Sequence, residues 1–180
     1  MKKLKKNKGI LFWITGLSGS GKTQIARKIV KKITKLYGPT IYISGDDIRK
    51  IFELKKYKKN DRLSVGIKIV KFCKFITKQN INVIFAVVGL IDKLRALNKK
   101  NISNYVEIYI KSDIKKIIQV GKKKIYTKFN KNVVGVDIVP ELPRSPDIII
   151  HNKFDKSIKE LSDKLLKKIS KLYTPKNSNN

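Results

Sequence analysis

The sequence predicts an α/β fold in which helices cover both faces of a central parallel β-sheet. Short apolar segments of strand length alternate along the chain with longer segments that have helical periodicity. One such strand, Asn82 to Val88 (NVIFAVV), is apolar almost throughout, as expected when both of its faces are covered. The 180 residues suffice for one domain, which we place at 1–173, with 174–180 as a flexible C-terminal tail.

The first half of the chain supplies three strands and two helices. In its first helix isoleucines recur at a spacing that places them on one face, and the Gly38-Pro39 pair ends that helix. A lysine-rich connection follows the second strand. The predicted elements are, in order, a strand at Gly9 to Thr15, a helix at Gly21 to Tyr37, a strand at Thr40 to Ser44, a helix at Arg62 to Lys78 and a strand at Asn82 to Val88.

The second half continues the same alternation and closes with an amphipathic helix. Its predicted elements are a helix at Asp92 to Lys100, a strand at Tyr105 to Ile110, a helix from Asp113, an ordered loop at Lys122 to Pro146, a strand at Asp147 to His151 and a helix at Ser157 to Leu172. Five strands therefore alternate with helices, which favours parallel pairing because each parallel connection needs a crossover.

Apolar content and cysteine usage limit where the protein can work. Hydrophobic residues make up 41% of the chain, yet no apolar run is long enough to span a membrane. The single cysteine, Cys73, excludes an internal disulfide and indicates a reducing compartment. We therefore expect a cytoplasmic protein that does not insert into a membrane.

The net charge of +30 raises the question of nucleic-acid binding, because such an excess attracts polyanions regardless of their sequence. The lysines are nevertheless spread along the whole chain, and the joint excess of Lys, Ile and Asn is what an AT-rich genome encodes. This distribution favours a solvated basic surface over a dedicated nucleic-acid site. Such a surface would still speed the encounter with anionic nucleotides.

The strongest motif is a phosphate-binding loop directly after the first strand. The segment 16–23 reads GLSGSGKT, a full match to G-x-x-x-x-G-K-[ST] between a strand and a helix. Its glycines let the backbone N–H groups surround phosphate oxygens, and the helix that follows presents its N-terminus to the same anion. The motif predicts a P-loop NTPase-type fold and an ATP site formed by Gly16, Leu17, Ser18, Gly19, Ser20, Gly21, Lys22 and Thr23.

The chemical roles within this loop follow from the residue types. Lys22 reaches the β- and γ-phosphates and acts as a catalytic residue, while the Thr23 hydroxyl is placed to hold Mg²⁺, the cofactor that accompanies ATP. A second clue is Gly45-Asp46-Asp47 with Arg49, at the carboxyl end of the second strand, where ligands bind in open α/β sheets. There a carboxylate can orient an acceptor hydroxyl and an arginine can pair with an anion, although a helix cap with a surface ion pair would give the same pattern.

Taken together, these residues resemble the adenylylsulfate kinase family over nearly the whole chain. The phosphate loop carries most of the resemblance, and each other segment is individually modest. The matching segments are GLSGSGKT, Gly45-Asp46 with Arg49, Asp61-Arg62, Lys123 with Ile125-Tyr126, Gly135-Val136-Asp137, Glu141-Leu142-Pro143 and Pro146-Asp147.

The resemblance implies transfer of the γ-phosphoryl group of ATP to the ribose 3′-hydroxyl of a 5′-activated nucleotide. Asp46 would orient or deprotonate that hydroxyl as a catalytic residue, and the basic segment 122–131 would close as a lid. The resemblance also allows a homodimer. The implied acceptor-binding positions are Arg49 and Arg62 for the anionic 5′ group, Tyr57 for stacking on the base, and Val65, Lys123 and Val133.

The departures from the family pattern fall on acceptor recognition. Val65 replaces an Asn that contacts the substrate, and Val133 replaces a Phe that supplies the second face of an aromatic sandwich. Some bacterial relatives phosphorylate cytidine diphosphoramidate during modification of surface polysaccharide, and a pyrimidine would lose less from a missing stacking face. This acceptor is slightly favoured over adenylylsulfate, and both stay open.

Two alternatives belong to other functional classes. The first is a nucleic-acid-binding P-loop ATPase, which is disfavoured because the third strand ends Val87-Val88-Gly89 without an Asp-Glu pair. The second is a degenerate kinase that binds nucleotide without turnover, which the retained Lys22 and Asp46 disfavour.

Overall fold

All five predicted strands form in the structure, a computed structural model that describes residues 4–54, 58–121, 126 and 131–173. They pair in parallel in the order β2-β3-β1-β4-β5, with β1 at the centre of the sheet. The strands are β1 (Leu11–Thr15), β2 (Thr40–Ser44), β3 (Asn82–Ala86), β4 (Tyr105–Lys111) and β5 (Ile148–His151).

Six helices connect or follow these strands in the described residues. Their order confirms the predicted α/β architecture, in which helices flank a central parallel sheet. The helices are α1 (Lys22–Tyr37), α2 (Gly45–Ile51), α3 (Lys59–Lys78), α4 (Asp92–Asn101), α5 (Ile114–Gln119) and α6 (Ile158–Leu172).

The two faces of the sheet are covered by different helices. On one face, α1 and α6 bury their apolar sides against alternate strand residues such as Phe12 and Ile108. On the other face, α3 packs Ile69 and Cys73 against Trp13 and Phe85, whose rings stack at 5.2 Å. Apolar stripes on the helices meet continuous apolar strands, so the core forms two layers around the sheet.

Several element boundaries differ from those predicted. Strand β1 begins at Leu11 rather than Gly9, and α3 begins at Lys59, before Arg62. Strand β3 ends at Ala86 instead of Val88, because the carbonyl oxygen of Val88 accepts from the Thr15 hydroxyl and from the Gly16 N–H group of the phosphate loop.

Helix α2 was not predicted as an element. It has seven residues, too few to show a helical period, and it begins immediately after β2. Ser44, the last residue of β2, caps it. The result is that the Gly45-Asp46-Asp47 segment forms the first turn of a helix at the carboxyl edge of the sheet.

Parallel pairing brings the carboxyl ends of all five strands to one edge of the sheet. Thr15, Ser44, Ala86, Lys111 and His151 end the strands there. In open α/β sheets this edge is where ligands bind, so the segments that follow these residues are the ones to search for a site.

Candidate active site

The phosphate loop adopts a backbone that side chains would obstruct. Gly16 has φ 151°, and a Cβ atom there would lie 2.5 Å from the carbonyl oxygen of Ile110. Gly21 has φ 92°, and its Cβ would lie 3.0 Å from Nδ2 of Asn152. These two positions therefore require glycine, both for backbone conformation and for space.

Lys22 extends back over this loop from the first turn of α1. Its Nζ donates to the carbonyl oxygen of Leu17 at 2.7 Å, and the residue is only 7% exposed. The N–H group of Ser20 donates to the same carbonyl at 3.2 Å. The loop thus closes on itself with the ammonium group held above it, which is the placement needed to contact a phosphate chain.

A cavity of about 650 Å³ opens in front of the loop, and we call it the donor cavity. Of the predicted ATP-site residues, Ser18, Gly19, Gly21, Lys22 and Thr23 line it. Ser20 is fully buried behind the loop, and the Leu17 side chain packs into an apolar cluster with Leu90 and Tyr109. Part of the remaining wall comes from the end of α5 and the β5–α6 connection, including Val120, Asn152, Phe154 and Lys156.

A second cavity of about 350 Å³ lies between α2, α3 and the segments 87–91 and 131–139, and we call it the acceptor cavity. Four predicted acceptor-binding residues line it, namely Arg49, Arg62, Val65 and Val133. Tyr57, Lys123 and most of the predicted lid fall outside the described residues. The structure thus brings together four of the predicted residues, which are distant in the chain.

The two cavities share a wall. Five residues line both of them, and they come from the phosphate loop, the start of α2 and the segment directly after β3: Ser18, Gly45, Asp46, Val87 and Val88. Asp46 contributes an exposed carboxylate to this wall. A group transferred from one cavity to the other would pass beside that carboxylate.

Asp46 and Asp47 are adjacent but have different environments. Asp47 belongs to a capping box: its Oδ2 accepts from the N–H group of Ser44 at 3.0 Å and from the Ser44 hydroxyl at 2.7 Å. The hydrogen bonds from the Ser44 side chain and backbone lower the pKa of Asp47 below its usual range. Asp47 is therefore engaged in the helix terminus, while Asp46 faces the cavities.

Two arginines bring positive charge to the acceptor cavity. Arg49 donates from Nη1 to the carbonyl oxygen of Leu54 at 3.3 Å, which holds it against the end of α2. Arg62 donates from Nη2 to the carbonyl oxygen of Asn132 at 2.8 Å, which links α3 to the segment that carries Val133. Guanidinium groups in these positions suit an anionic group such as a phosphate.

Glu141 connects three segments beside the acceptor cavity. Its Oε2 accepts from the N–H group of Asp92 at 2.6 Å, and its Oε1 pairs with Lys59 at 3.1 Å. The hydrogen bond from Asp92 is the main reason that the pKa of Glu141 is lowered. Glu141 thereby holds the start of α4 and the start of α3 at the edge of the cavity.

An ion pair between α4 and β4 is linked to two residues of the acceptor cavity, Gly89 and Trp13. Arg95 of α4 pairs through Nε with Glu107 at 3.1 Å and donates from Nη1 to the carbonyl oxygen of Gly89 at 3.4 Å. Glu107 is the β4 partner of Trp13 in the sheet register, and Trp13 also lines the cavity. Burial raises the pKa of Glu107.

Several of these residues have no functional role in the sequence-based prediction. Trp13 packs in the core and also forms part of the acceptor cavity. Asn152 and Phe154 line the donor cavity without belonging to any motif. Their position directly after the last strand was the available signal, because that edge of the sheet carries the ligand sites.

The residues present fit Mg²⁺ bound together with ATP. Thr23 offers a hydroxyl oxygen at the donor cavity, and Mg²⁺ prefers oxygen donors. Over the described parts of the chain, no three His, Cys, Asp or Glu side chains gather as a metal site.

The basic segment ahead of residue 131 is described at Tyr126, whose hydroxyl donates to the carbonyl oxygen of Ser18 at 3.0 Å. Burial raises the pKa of Tyr126 to about 12, so the phenol stays protonated as a donor at neutral pH. This contact ties Tyr126 to the phosphate loop.

None of the helices in the described residues is both long enough and apolar enough to span a bilayer.

Comparison with known proteins agrees with this geometry. The family model described as adenylylsulphate kinase matches residues 8–151. A cytidine diphosphoramidate kinase from Campylobacter jejuni is 36% identical over 169 residues, covering 92% of this chain and 99% of its own. An adenylyl-sulfate kinase from Clostridium kluyveri is 29% identical, covering 91% of this chain and 85% of its own.

The fold is also found among solved structures. The Mycobacterium tuberculosis APS kinase CysC, in complex with AMPPNP and APS, superimposes with a TM-score of 0.80 at 22% identity, covering 91% of this chain and 98% of its own. The match of the family model over most of the chain and the relative at 36% identity identify the lineage as well as the fold. This chain belongs to the adenylylsulfate kinase family of P-loop kinases.

Proposed function

We propose that this enzyme phosphorylates the ribose 3′-hydroxyl of a 5′-activated nucleotide, with cytidine diphosphoramidate as the favoured acceptor. The observation that carries the phosphoryl-transfer proposal is the wall that the donor and acceptor cavities share at Asp46. ATP in the donor cavity and a nucleotide in the acceptor cavity would meet at that carboxylate, which is the arrangement that phosphoryl transfer requires.

The proposed mechanism assigns each step to a residue of this chain. Backbone N–H groups of the phosphate loop bind the phosphate chain of ATP, and the Lys22 ammonium group stabilises charge that develops on the γ-phosphoryl oxygens. Asp46 orients the acceptor 3′-hydroxyl and accepts its proton as the new P–O bond forms and the bond to ADP breaks. Bound Mg²⁺, held through Thr23 and the phosphates, would neutralise further charge on the phosphates.

Acceptor binding would depend on charge and on an apolar floor. Arg49 and Arg62 are placed to pair with the anionic 5′ group, while Val65 and Val133 supply apolar contact. Val133 is 4% exposed, so its branched side chain fills space against the cavity where the family pattern has a stacking ring. A smaller base that depends less on stacking suits this wall better than adenine does.

The relative at 36% identity supports the same acceptor. It is a cytidine diphosphoramidate kinase, and the alignment covers 99% of its length. The corresponding role for this chain would be a step in the modification of surface polysaccharide. We place that step in the cytoplasm, where ATP is available and where the free, buried thiol of Cys73 remains reduced.

The acceptor is tested by comparing kcat/KM for cytidine diphosphoramidate and adenylylsulfate at saturating Mg-ATP. We expect the cytidine compound to be preferred by about tenfold or more, the scale of one lost stacking face for adenine. If adenylylsulfate has the higher kcat/KM, this is an adenylylsulfate kinase and the valine substitutions are neutral. Sedimentation of the same preparation gives the oligomeric state, for which we expect a homodimer.

A further inference from the structure

The side chain of Asn152 makes hydrogen bonds in two directions at the end of β5. Its Nδ2 donates to the carbonyl oxygen of Ser20, in the phosphate loop, at 3.0 Å. Its Oδ1 accepts from the N–H group of Phe154 at 3.0 Å. The residue is 2% exposed, and its own N–H group donates to the carbonyl oxygen of Lys111 at 2.9 Å. Both ends of the amide are thus committed inside the protein.

The second of these bonds holds an unusual backbone. Phe154 has φ 64°, in the left-handed region that large side chains rarely adopt. A hydrogen bond from an Asn oxygen to the N–H group two residues later stabilises such a turn locally. Conformations of this kind persist where the surrounding structure holds them, and they concentrate at ligand sites.

Phe154 belongs to the part of the donor cavity wall that the β5–α6 connection forms. It lines the cavity beside Val120 and Lys156 and packs against the apolar cluster that contains Leu17 and Ile117. A half-buried aromatic ring in the wall of a cavity that a phosphate loop also lines offers a flat surface to the base of a nucleoside triphosphate.

We propose that Phe154 contacts the donor base and that Asn152 is a positioning residue that fixes this base wall relative to the phosphate loop. The proposal rests on the proposed function only in taking the donor cavity as the ATP site. Because one buried amide holds both parts, base stacking and phosphate binding are coupled through Asn152. The hydrogen bond from its Nδ2 holds the loop that binds the phosphates, and the hydrogen bond to its Oδ1 holds the turn that carries the Phe154 ring.

The two bonds can be separated with two probes, ATP and inorganic tripolyphosphate, which lacks the base and ribose. Dissociation constants for both are measured by calorimetry with Mg²⁺ on the full chain. Phe154→Gly removes the ring and relieves the backbone conformation, so ATP should bind about tenfold more weakly while tripolyphosphate binding changes less than about twofold. Phe154→Tyr, which keeps the ring, should restore ATP binding.

The Asn152 variants distinguish positioning from a merely structural role. Asn152→Asp keeps the acceptor for the Phe154 N–H group and loses the donor to Ser20. Both ATP and tripolyphosphate should therefore bind more weakly, while the ratio of their dissociation constants stays as in the wild type. Asn152→Ala loses both hydrogen bonds, so the dissociation constant for ATP should rise by a larger factor than that for tripolyphosphate. Circular dichroism and the melting temperature establish that each variant is folded, and Asn152→Asp serves if Asn152→Ala does not fold.

The control for loss of an aromatic ring is Phe75→Ala, because Phe75 is 64% exposed on α3 and lines neither cavity. It should leave both dissociation constants unchanged. The proposal is overturned if Phe154→Gly weakens both probes equally, or if folded Asn152 variants bind both probes as the wild type does. A wild-type protein that binds ATP but phosphorylates no acceptor would refute the proposed function. The dissociation constants for ATP and tripolyphosphate would still test the roles of Phe154 and Asn152.

Discussion

Ser44 and Asp47 cap the first turn of α2 reciprocally. The N–H group of Asp47 donates to the Ser44 hydroxyl oxygen at 3.1 Å, and the Asp47 carboxylate accepts from both the N–H and the hydroxyl of Ser44. Loss of such a cap costs about 1 kcal/mol of stability. The pair therefore holds Asp46, which lies between them, at a defined place beside both cavities.

The first prediction separates the two aspartates. Asp46→Asn should lower kcat by about a hundredfold or more, the scale for loss of a general base, while the Kd for ATP changes little. Asp47→Asn, the matched control, should lower the melting temperature and leave most of kcat at a temperature where it is folded. Single-turnover kinetics and ATP titrations measure both. Equal loss of kcat and ATP affinity in Asp46→Asn would instead indicate a role in nucleotide or metal binding.

The second prediction concerns acid stability. Hydrogen bonds from Ser44 lower the pKa of Asp47 in the folded chain below the ordinary value of 3.8. Its contribution to stability is therefore present above that ordinary value and is lost as the pH falls through the lowered pKa of the folded state. The difference in unfolding free energy between wild type and Asp47→Asn should shrink across this acid range. Urea unfolding at several pH values measures it, and a constant difference would contradict the cap.

The third prediction concerns Lys22. Lys22→Ala removes the ammonium group above the phosphate loop and should lower turnover by about a hundred- to a thousandfold with every acceptor. Lys28→Ala, on the exposed side of the same helix, tests the loss of one positive charge alone and should stay near wild type. Steady-state turnover with ATP compares the two. Near-normal turnover of Lys22→Ala would refute the ATP-site assignment.

The fourth prediction concerns Thr23. Thr23→Val keeps the shape of the side chain and removes the hydroxyl proposed to hold Mg²⁺, so the Mg²⁺ concentration for half-maximal turnover should rise about tenfold. Thr34→Val is the control, because Thr34 lies exposed on the same helix and its hydroxyl donates to the carbonyl oxygen of Val30 in that helix. Turnover in both proteins should cease with excess chelator. An unchanged Mg²⁺ dependence in Thr23→Val would remove Thr23 from the metal site.

The fifth prediction restores the family pattern in the acceptor cavity. The double variant Val65→Asn, Val133→Phe should raise the kcat/KM ratio of adenylylsulfate to cytidine diphosphoramidate by about tenfold. Val133 is buried, so the larger ring is expected to cost about 1–3 kcal/mol of stability, which the melting temperature reports. Val30→Asn, outside both cavities, is the control for a polar change on a half-buried position. An unchanged ratio would show that these positions do not choose the acceptor.

Much of the fold could be predicted from the sequence because its strands are short and apolar and its phosphate loop is explicit. What could not be predicted depends on distance between elements. Helix α2 has seven residues and its cap is supplied by a strand residue, so no periodic pattern marks it. Glu107 belongs to no motif, yet it pairs with Arg95 of α4, a contact that no periodic pattern marks.

The site shows the same division. The segment GLSGSGKT is recognised from the spacing of its own residues, and five of these residues line the donor cavity. Asn152 carries no such pattern, since its function depends on Ser20, which lies far away in the chain and meets it only because β5 and the loop end at one edge. Contacts of this kind arise from sheet topology, which single-sequence periodicity does not specify.

The wall shared by the two cavities has a consequence for inhibition. Because Ser18, Gly45 and Asp46 border both spaces, one molecule that carries two nucleosides joined by a phosphate chain could occupy both at once. Such a bisubstrate compound loses its translational and rotational freedom once rather than twice, so its affinity should exceed that of either nucleotide alone. The identity of the second nucleoside would then make the compound selective between enzymes that share an ATP site but differ at the positions of Val65 and Val133.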